Sequence, residues 1–135
     1  MKVQRLNIEL KDEFQVARKY YQIISVLNDL KLSEGQLQLV AFTAIRGNIS
    51  DPGYRKEYCD TYKTTSATIN NVVDKMKKKG VMVKHNKMIF VNKVLTEVDF
   101  NESLALVVTM TQTIKPTVTK KVKKKDELNI ANNEQ

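Results

Sequence analysis

The segment from residue 58 to residue 92 constrains the fold of this chain more than any other part of it. Its sequence is YCDTYKTTSATINNVVDKMKKKGVMVKHNKMIFVN. The pattern predicts a short helix, a polar turn, a second helix that ends at KKKG, and a β-hairpin directly afterwards. Because the second helix has one apolar side, the rest of the chain must cover that side.

The second helix has a clear beginning, an apolar face and a clear end. Thr65 or Ser66 can cap the free N–H groups of its first turn. The apolar residues at helical spacing are Ile69, Val72, Val73 and Met76. Gly80 can take the left-handed conformation that ends a helix, and the lysines at 77–79 lie at the negative end of the helix dipole.

The opposite face of this helix is small, polar or basic. It carries Ala67, Thr68, Asn70, Asn71 and Lys75. An asparagine amide on such a face can pair with N6 and N7 of adenine in the major groove of DNA. Beyond the helix, residues 81–84 and 88–92 alternate apolar and polar side chains across His85-Asn86-Lys87, which predicts a solvent-facing hairpin.

The first helix of the pair is predicted at residues 54–61, after a turn at Asp51-Pro52-Gly53. Proline presets φ in such a turn and glycine accepts a positive φ. Residues 61–65 then form the sharp connection to the second helix. Upstream, Ser33 and Gln36 form a capping-box pair that starts another helix, and Gly47 ends it.

The residues of this region resemble winged helix-turn-helix regulators of the MarR class. The similarity is carried by Tyr58-Cys59-Asp60-Thr61-Tyr62, Thr65, Ile69, the run 72–76 and the run 78–81. It implies a protein that binds duplex DNA as a dimer, with the second helix in the major groove and the hairpin, or wing, along the backbone or minor groove. The chain departs from the class pattern where Lys63 replaces a glycine, where Tyr62 and Thr64 replace smaller or more apolar residues, and where the wing tip lacks an arginine.

The charge is concentrated in the same region. Of the total of +8, residues 54–93 hold 10 Lys and Arg against 3 Asp and Glu, a net charge of +7. A local basic footprint of this kind favours phosphate contacts, although a lysine run is also what a solvated helix end carries. The residues expected at DNA are Ser66, Ala67, Thr68, Asn70, Asn71, Lys75, Lys77, Lys78, Lys79, Lys84, His85 and Lys87.

The remaining segments are interpreted as scaffold. Leu6, Ile8 and Leu10 alternate with polar residues and predict an N-terminal strand. Residues 12–29 predict an amphipathic helix whose wide apolar arc needs cover from two directions. Residues 94–111 alternate again and predict a second hairpin, whose partner would be the N-terminal strand or another subunit. The chain is thus divided into a winged-helix domain at 1–113 and a mobile Lys-rich tail at 114–135.

Nothing in the sequence favours catalysis, a cofactor or a metal. His85 is the single histidine and Cys59 the single cysteine, and the four glycines are dispersed rather than gathered in a phosphate-binding loop. With no signal segment or long apolar run, we expect a cytoplasmic protein with no membrane partner.

The fold class expected is α+β, a winged helix-turn-helix with the additional strand, hairpin and tail. The expected function is duplex DNA binding without catalysis, as a transcriptional regulator or replication initiator from a mobile element or virus, in a homodimer or higher homo-oligomer. The alternative is a winged-helix assembly subunit of a virion or DNA-packaging complex. The polar helix face favours the first, whereas the long apolar N-terminal helix, the extra hairpin and the tail favour the second.

Overall fold

A computed structural model describes residues 1–113, and the predicted tail at 114–135 lies outside the described residues. The described part is α+β, with four helices and a two-stranded antiparallel sheet, in an order compatible with a winged helix. The elements are α1 (Glu13–Leu27), α2 (Glu34–Arg46), α3 (Pro52–Tyr62), α4 (Ser66–Lys78), β1 (Met82–His85), β2 (Met88–Val91) and a 3₁₀ turn (Lys93–Leu95).

The first two helices are present where the sequence predicts them, although α1 ends at Leu27, two residues before the predicted end at 29. Asp12 caps α1 by accepting a hydrogen bond from the Gln15 amide at 2.9 Å. Ser33 and Gln36 form the predicted capping box at the start of α2. Gly47 closes α2 with φ of 100°, a value that side-chain-bearing residues rarely adopt.

Helix α3 begins earlier than predicted. Asp51 is its N-cap and accepts a hydrogen bond from the Tyr54 amide at 3.1 Å, so Pro52 and Gly53 lie inside the first turn. The expectation of a separate turn at 51–53 was wrong because proline fits the first helical position, where no N–H bond is needed. Lys63 ends the helix in the left-handed conformation, with φ of 54°.

Helix α4 is capped by Thr65, whose hydroxyl accepts from the Thr68 amide at 3.2 Å. At its other end Gly80 has φ of 77°. The Gly80 amide donates to the Lys77 carbonyl and the Val81 amide to the Met76 carbonyl, at 3.0 and 2.9 Å. This pair of bonds is the Schellman arrangement, and it directs the chain from α4 straight into β1.

The predicted wing hairpin is present, with a tighter turn than expected. His85 belongs to β1 and faces Met88 of β2, so the turn consists of Asn86 and Lys87 alone. Both have positive φ, 52° and 67°. Two such residues form the turn type that matches the right-handed twist of paired strands.

A single hydrophobic core joins all four helices to the hairpin. Its largest fully buried members are Tyr21, Leu39, Ile49, Ile69, Met76 and Met82. The Tyr21 hydroxyl donates to the Leu95 carbonyl oxygen at 2.6 Å in a buried setting. Phe100 packs against Tyr20 and Tyr21, with ring centroids 5.5 and 5.9 Å apart. The segment after the hairpin therefore returns to α1 and covers it.

Two predicted elements are absent from the described residues. Residues 1–10 form no strand, and residues 94–111 form no second hairpin. The second expectation was wrong because Leu95 and Phe100 are fixed to α1, which leaves Val94, at 42% exposure, outside the core. The first was wrong because, without that hairpin, the N-terminal segment has no neighbouring strand. Leu6 and Ile8 are 78% and 58% exposed as a result.

We expect Tyr21→Phe to lower the free energy of unfolding by about 1–2 kcal/mol, because the buried Leu95 carbonyl loses its donor. Tyr54→Phe removes a hydroxyl at the exposed side of α3 and serves as the control. Urea denaturation of both variants measures the difference. Equal stability of the two variants would contradict a structural role for the Tyr21 bond.

Candidate nucleic-acid interface

Helix α4 has one buried face and one exposed face. Ile69, Val73 and Met76 are buried in the core. Ala67, Asn71, Asp74 and Lys78 recur on the opposite side at helical spacing, and all four are exposed. Of the twelve residues expected at DNA, the exposed ones are Ser66, Ala67, Thr68, Asn70, Asn71, Lys75, Lys77, Lys78, Lys84, His85 and Lys87.

Lys79 is the exception, since the structure places it against α2. Its side chain is half-buried, and Nζ donates to the Lys31 carbonyl at 3.0 Å and to Gln36 Oε1 at 3.3 Å. Gln36 is also the capping-box residue of α2. The ammonium of Lys79 thus joins the end of α4 to the start of α2, apart from the exposed lysines.

An acidic residue that the sequence analysis left out lies on the exposed face. Asp74 shares the stripe of Asn71 and Lys78, and its carboxylate is 3.8 Å from the Lys77 ammonium. An exposed pair of this kind contributes little to stability. The pair nevertheless lowers the positive charge of this face, because Asp74 neutralises one of the three exposed lysines of α4.

Arg55 of α3 is a second residue that sequence reasoning missed. Its NH1 donates to Ser66 Oγ at 2.6 Å and to Asn70 Oδ1 at 2.9 Å, and its Nε donates to the Ile49 carbonyl at 3.0 Å. One guanidinium therefore contacts two of the predicted DNA-binding side chains. Because its partners on α4 are 11 and 15 residues away, no short spacing in the sequence could indicate them.

The loop between α2 and α3 holds the hairpin. Asn48 Oδ1 accepts from the Ile89 amide at 2.9 Å, and the Ile49 amide donates to the Ile89 carbonyl at 2.9 Å. Ser50 Oγ donates to the Lys87 carbonyl at 2.8 Å, which anchors the turn of the hairpin. The backbone that carries Lys87 and His85 is thereby fixed to the helical body.

The hairpin does not have the one apolar face and one polar face that the alternation in the sequence predicts. Lys84 pairs with Ile89 and shares the inward face with Met82 and Val91, yet it is exposed because it lies toward the free end. The outward face carries Val83, His85, Met88 and Phe90. Val83 and Met88 are 37% and 46% exposed, so this side is largely apolar.

An open cleft of about 360 Å³ lies between α1, α2 and α3. Its wall includes Phe14 and Phe42, with the Arg46 guanidinium 5.0 Å from the centre of the Phe14 ring. Arg46 also binds Glu57 through two hydrogen bonds of 3.0 and 2.7 Å. These bonds hold the pKa of the Glu57 carboxyl below its usual value.

The single cysteine and the single histidine lie in different elements of the fold. Cys59 of α3 packs against the core, as expected of a small apolar side chain, and His85 is exposed on β1. Between residues 1 and 113 no group of three His, Cys, Asp or Glu side chains is placed to hold a metal ion. Every helix in that range is too short or too polar to span a bilayer.

Comparison with protein-family models, with curated proteins and with solved structures finds no match to this chain.

We expect Asn48→Ala to loosen the hairpin without unfolding the helices. The Ile89 amide would lose its side-chain acceptor and exchange its hydrogen at least ~5-fold faster, in line with about 1 kcal/mol for one hydrogen bond. Hydrogen exchange followed by NMR measures this rate. Asn101→Ala, an exposed substitution of the same type, is the control, and equal Ile89 exchange in the two variants would contradict the anchoring role.

Proposed function

We propose that this chain is a winged-helix protein that binds duplex DNA without catalysis. In this proposal α4 enters the major groove and the hairpin is the wing. The observation that supports it best is the division of α4, which buries Ile69, Val73 and Met76 and exposes a polar and basic face directly before the hairpin. The major groove is wide enough to admit an α-helix, and a polar and basic face can contact the base edges and phosphates there.

The turn between α3 and α4 is compatible with a helix-turn-helix, which is the fold that the resemblance to the MarR class implies. The class pattern has a glycine where this chain has Lys63, and Lys63 adopts the left-handed conformation that glycine takes most easily. Thr64 then donates its amide hydrogen to the Cys59 carbonyl at 3.1 Å, which closes the end of α3. The departure in sequence therefore leaves a sharp connection between the two helices.

Charge on the exposed surface supports phosphate contact. Lys75, Lys77 and Lys78 of α4 and Lys84 and Lys87 of the hairpin are all exposed. Lysine ammonium groups bind phosphate oxygens as point charges and release condensed counterions from DNA. Asp74 opposes this attraction locally, so we assign the main phosphate contacts to Lys75, Lys78 and the hairpin lysines.

We further propose that the protein acts as a homo-oligomer. Leu6 and Ile8 before α1, and Leu106, Val108 and Met110 near residue 113, are exposed apolar side chains in segments that form neither helix nor strand. The N-terminal segment alternates apolar and polar residues, the pattern of a half-buried strand, whereas residues 104–108 are all apolar. Within residues 1–113 neither segment is paired in a sheet. Pairing between copies would bury these side chains and satisfy their backbone groups.

The same exposed segments, together with the apolar outward face of the hairpin, favour the second candidate function. In that alternative the chain is an assembly subunit of a virion or DNA-packaging complex, and its contacts are mainly with protein. Exposed contiguous apolar surface is typical of protein interfaces. The polar face of α4 is the reason to prefer DNA binding.

We expect the double variant Lys75→Gln with Lys78→Gln to bind every duplex more weakly. The dependence of log K on log salt should flatten by up to ~0.9 for each phosphate that is no longer neutralised. Lys11→Gln with Lys31→Gln removes the same charge from exposed positions on either side of α1 and serves as the control. Fluorescence anisotropy with random-sequence duplexes at several salt concentrations measures both slopes. Equal slopes for the two double variants would exclude these α4 lysines from the DNA interface.

We expect Leu6→Ser with Ile8→Ser to weaken self-association, because the paired segment would lose its apolar face. Asn7→Ser, which lies in the polar phase of the same segment, should leave the oligomer unchanged. Sedimentation velocity with and without DNA measures the assembly size. A wild-type monomer would contradict the homo-oligomer, and large rings of many copies that ignore DNA would support the assembly subunit instead.

A further inference from the structure

Arg55 forms a hydrogen bond to the side-chain amide of Asn70. The guanidinium carries only hydrogen-bond donors, so the amide atom that lies 2.9 Å from its NH1 is the oxygen Oδ1. The bond draws Oδ1 toward α3. Because the two amide atoms diverge from Cγ, the NH₂ group of Asn70 then points away from Arg55 and is the part of the amide free for a ligand.

Arg55 itself is held at three points, which makes this orientation a defined one. Its Nε is fixed on the Ile49 carbonyl, and NH1 is shared between Ser66 Oγ and Asn70 Oδ1. The Ile49 amide is in turn bonded to Ile89 of the hairpin. The Asn70 amide is therefore oriented relative to the hairpin as well as to its own helix.

We propose that Arg55 is a positioning residue that makes Asn70 a hydrogen-bond donor to N7 of a purine. This inference rests on the proposed function, since it assumes that α4 lies in the major groove. An asparagine with both amide atoms free pairs with N6 and N7 of adenine and so selects adenine. An asparagine that offers only its NH₂ group accepts adenine and guanine alike, because both present N7 as an acceptor.

The inference predicts that removing Arg55 creates a base preference instead of abolishing one. Wild-type protein should distinguish purine from pyrimidine at the Asn70 position and bind adenine and guanine there within about twofold. Arg55→Met removes the donors and keeps an unbranched side chain. It frees Oδ1, so the preference for adenine over guanine should rise to roughly 5-fold or more. A loss of structure would lower affinity for all sequences and would not create a new preference.

The experiment uses the full chain and has two stages. Selection from a random duplex library gives a preferred site, and affinities are then measured for duplexes with each base at each position. The base that Asn70 contacts is the position at which Asn70→Ala binds all four bases equally. At that position a 7-deaza purine, which lacks only N7, should weaken wild-type binding roughly 5-fold or more. Arg55→Met should change the adenine-to-guanine ratio at that position and no other.

Two further variants complete the test. Lys56→Met removes the same charge from the neighbouring residue of α3, whose ammonium binds Asp60 at 2.8 Å, and should leave the ratio unchanged. Asn70→Asp keeps an acceptor for Arg55 but has no donor, so it should fold normally and lose the 7-deaza effect even if Arg55→Met does not fold.

The outcomes separate the inference from the proposed function. A wild-type protein that already selects adenine over guanine through Asn70, an unchanged ratio in a folded Arg55→Met, or a 7-deaza effect that survives in Asn70→Asp would overturn the inference. DNA binding would persist in each of these cases. Absence of binding to any duplex at low salt would instead overturn the proposed function.

Discussion

The amide oxygen of Asn48 is the point on which the hairpin and the loop before α3 depend. It accepts hydrogen bonds from the backbone amides of Ile89 and Ser50. A two-stranded hairpin of this size is marginally stable by itself in water. The Asn48 side chain and the Ile49 backbone act in place of a third strand along β2, while Ile49 itself is buried in the core. The hairpin is therefore stable only as part of the helical body.

The same loop is connected by hydrogen bonds to the exposed face of α4. Ile49 offers its carbonyl to Arg55, and Arg55 reaches Ser66 and Asn70. Helix α3 is held against α2 by aromatic packing, since the Phe42 ring lies against Tyr58 and Tyr62 with ring centroids 5.1 and 6.4 Å apart. A surface built on such connections is preorganised, which limits the side-chain entropy that a ligand must overcome on binding.

The apolar arc of α1 is covered from two sides within one chain. Helix α2 packs along one side, where Phe14 stacks on Phe42 with centroids 5.9 Å apart. The segment after the hairpin covers the other side through Leu95 and Phe100. This arrangement uses residues 94–100 as cover rather than as a strand. It leaves the N-terminal segment and residues 106–110 as the surfaces through which we propose that copies associate.

The parts of the fold that follow from local chemistry were predictable from the sequence. The caps at Ser33 and Thr65, the termination at Gly80 and the buried stripe of α4 each depend on residues no more than five positions apart, so a short stretch of sequence contains all the partners. The predicted face of α4 is accordingly exposed as expected, with the exception of Lys79.

Only the tertiary structure decided the features that depend on distant partners. The orientation of Asn70 requires Arg55 on another helix, and the position of Lys79 requires the carbonyl of Lys31. The alternation at 94–111 is equally consistent with a strand and with an extended segment packed on a helix. The spacing of apolar residues does not identify the element against which their side chains pack. The sequence by itself therefore determined which face α4 exposes, whereas the packing of α3 and of the loop at 48–50 decided which atoms that face presents.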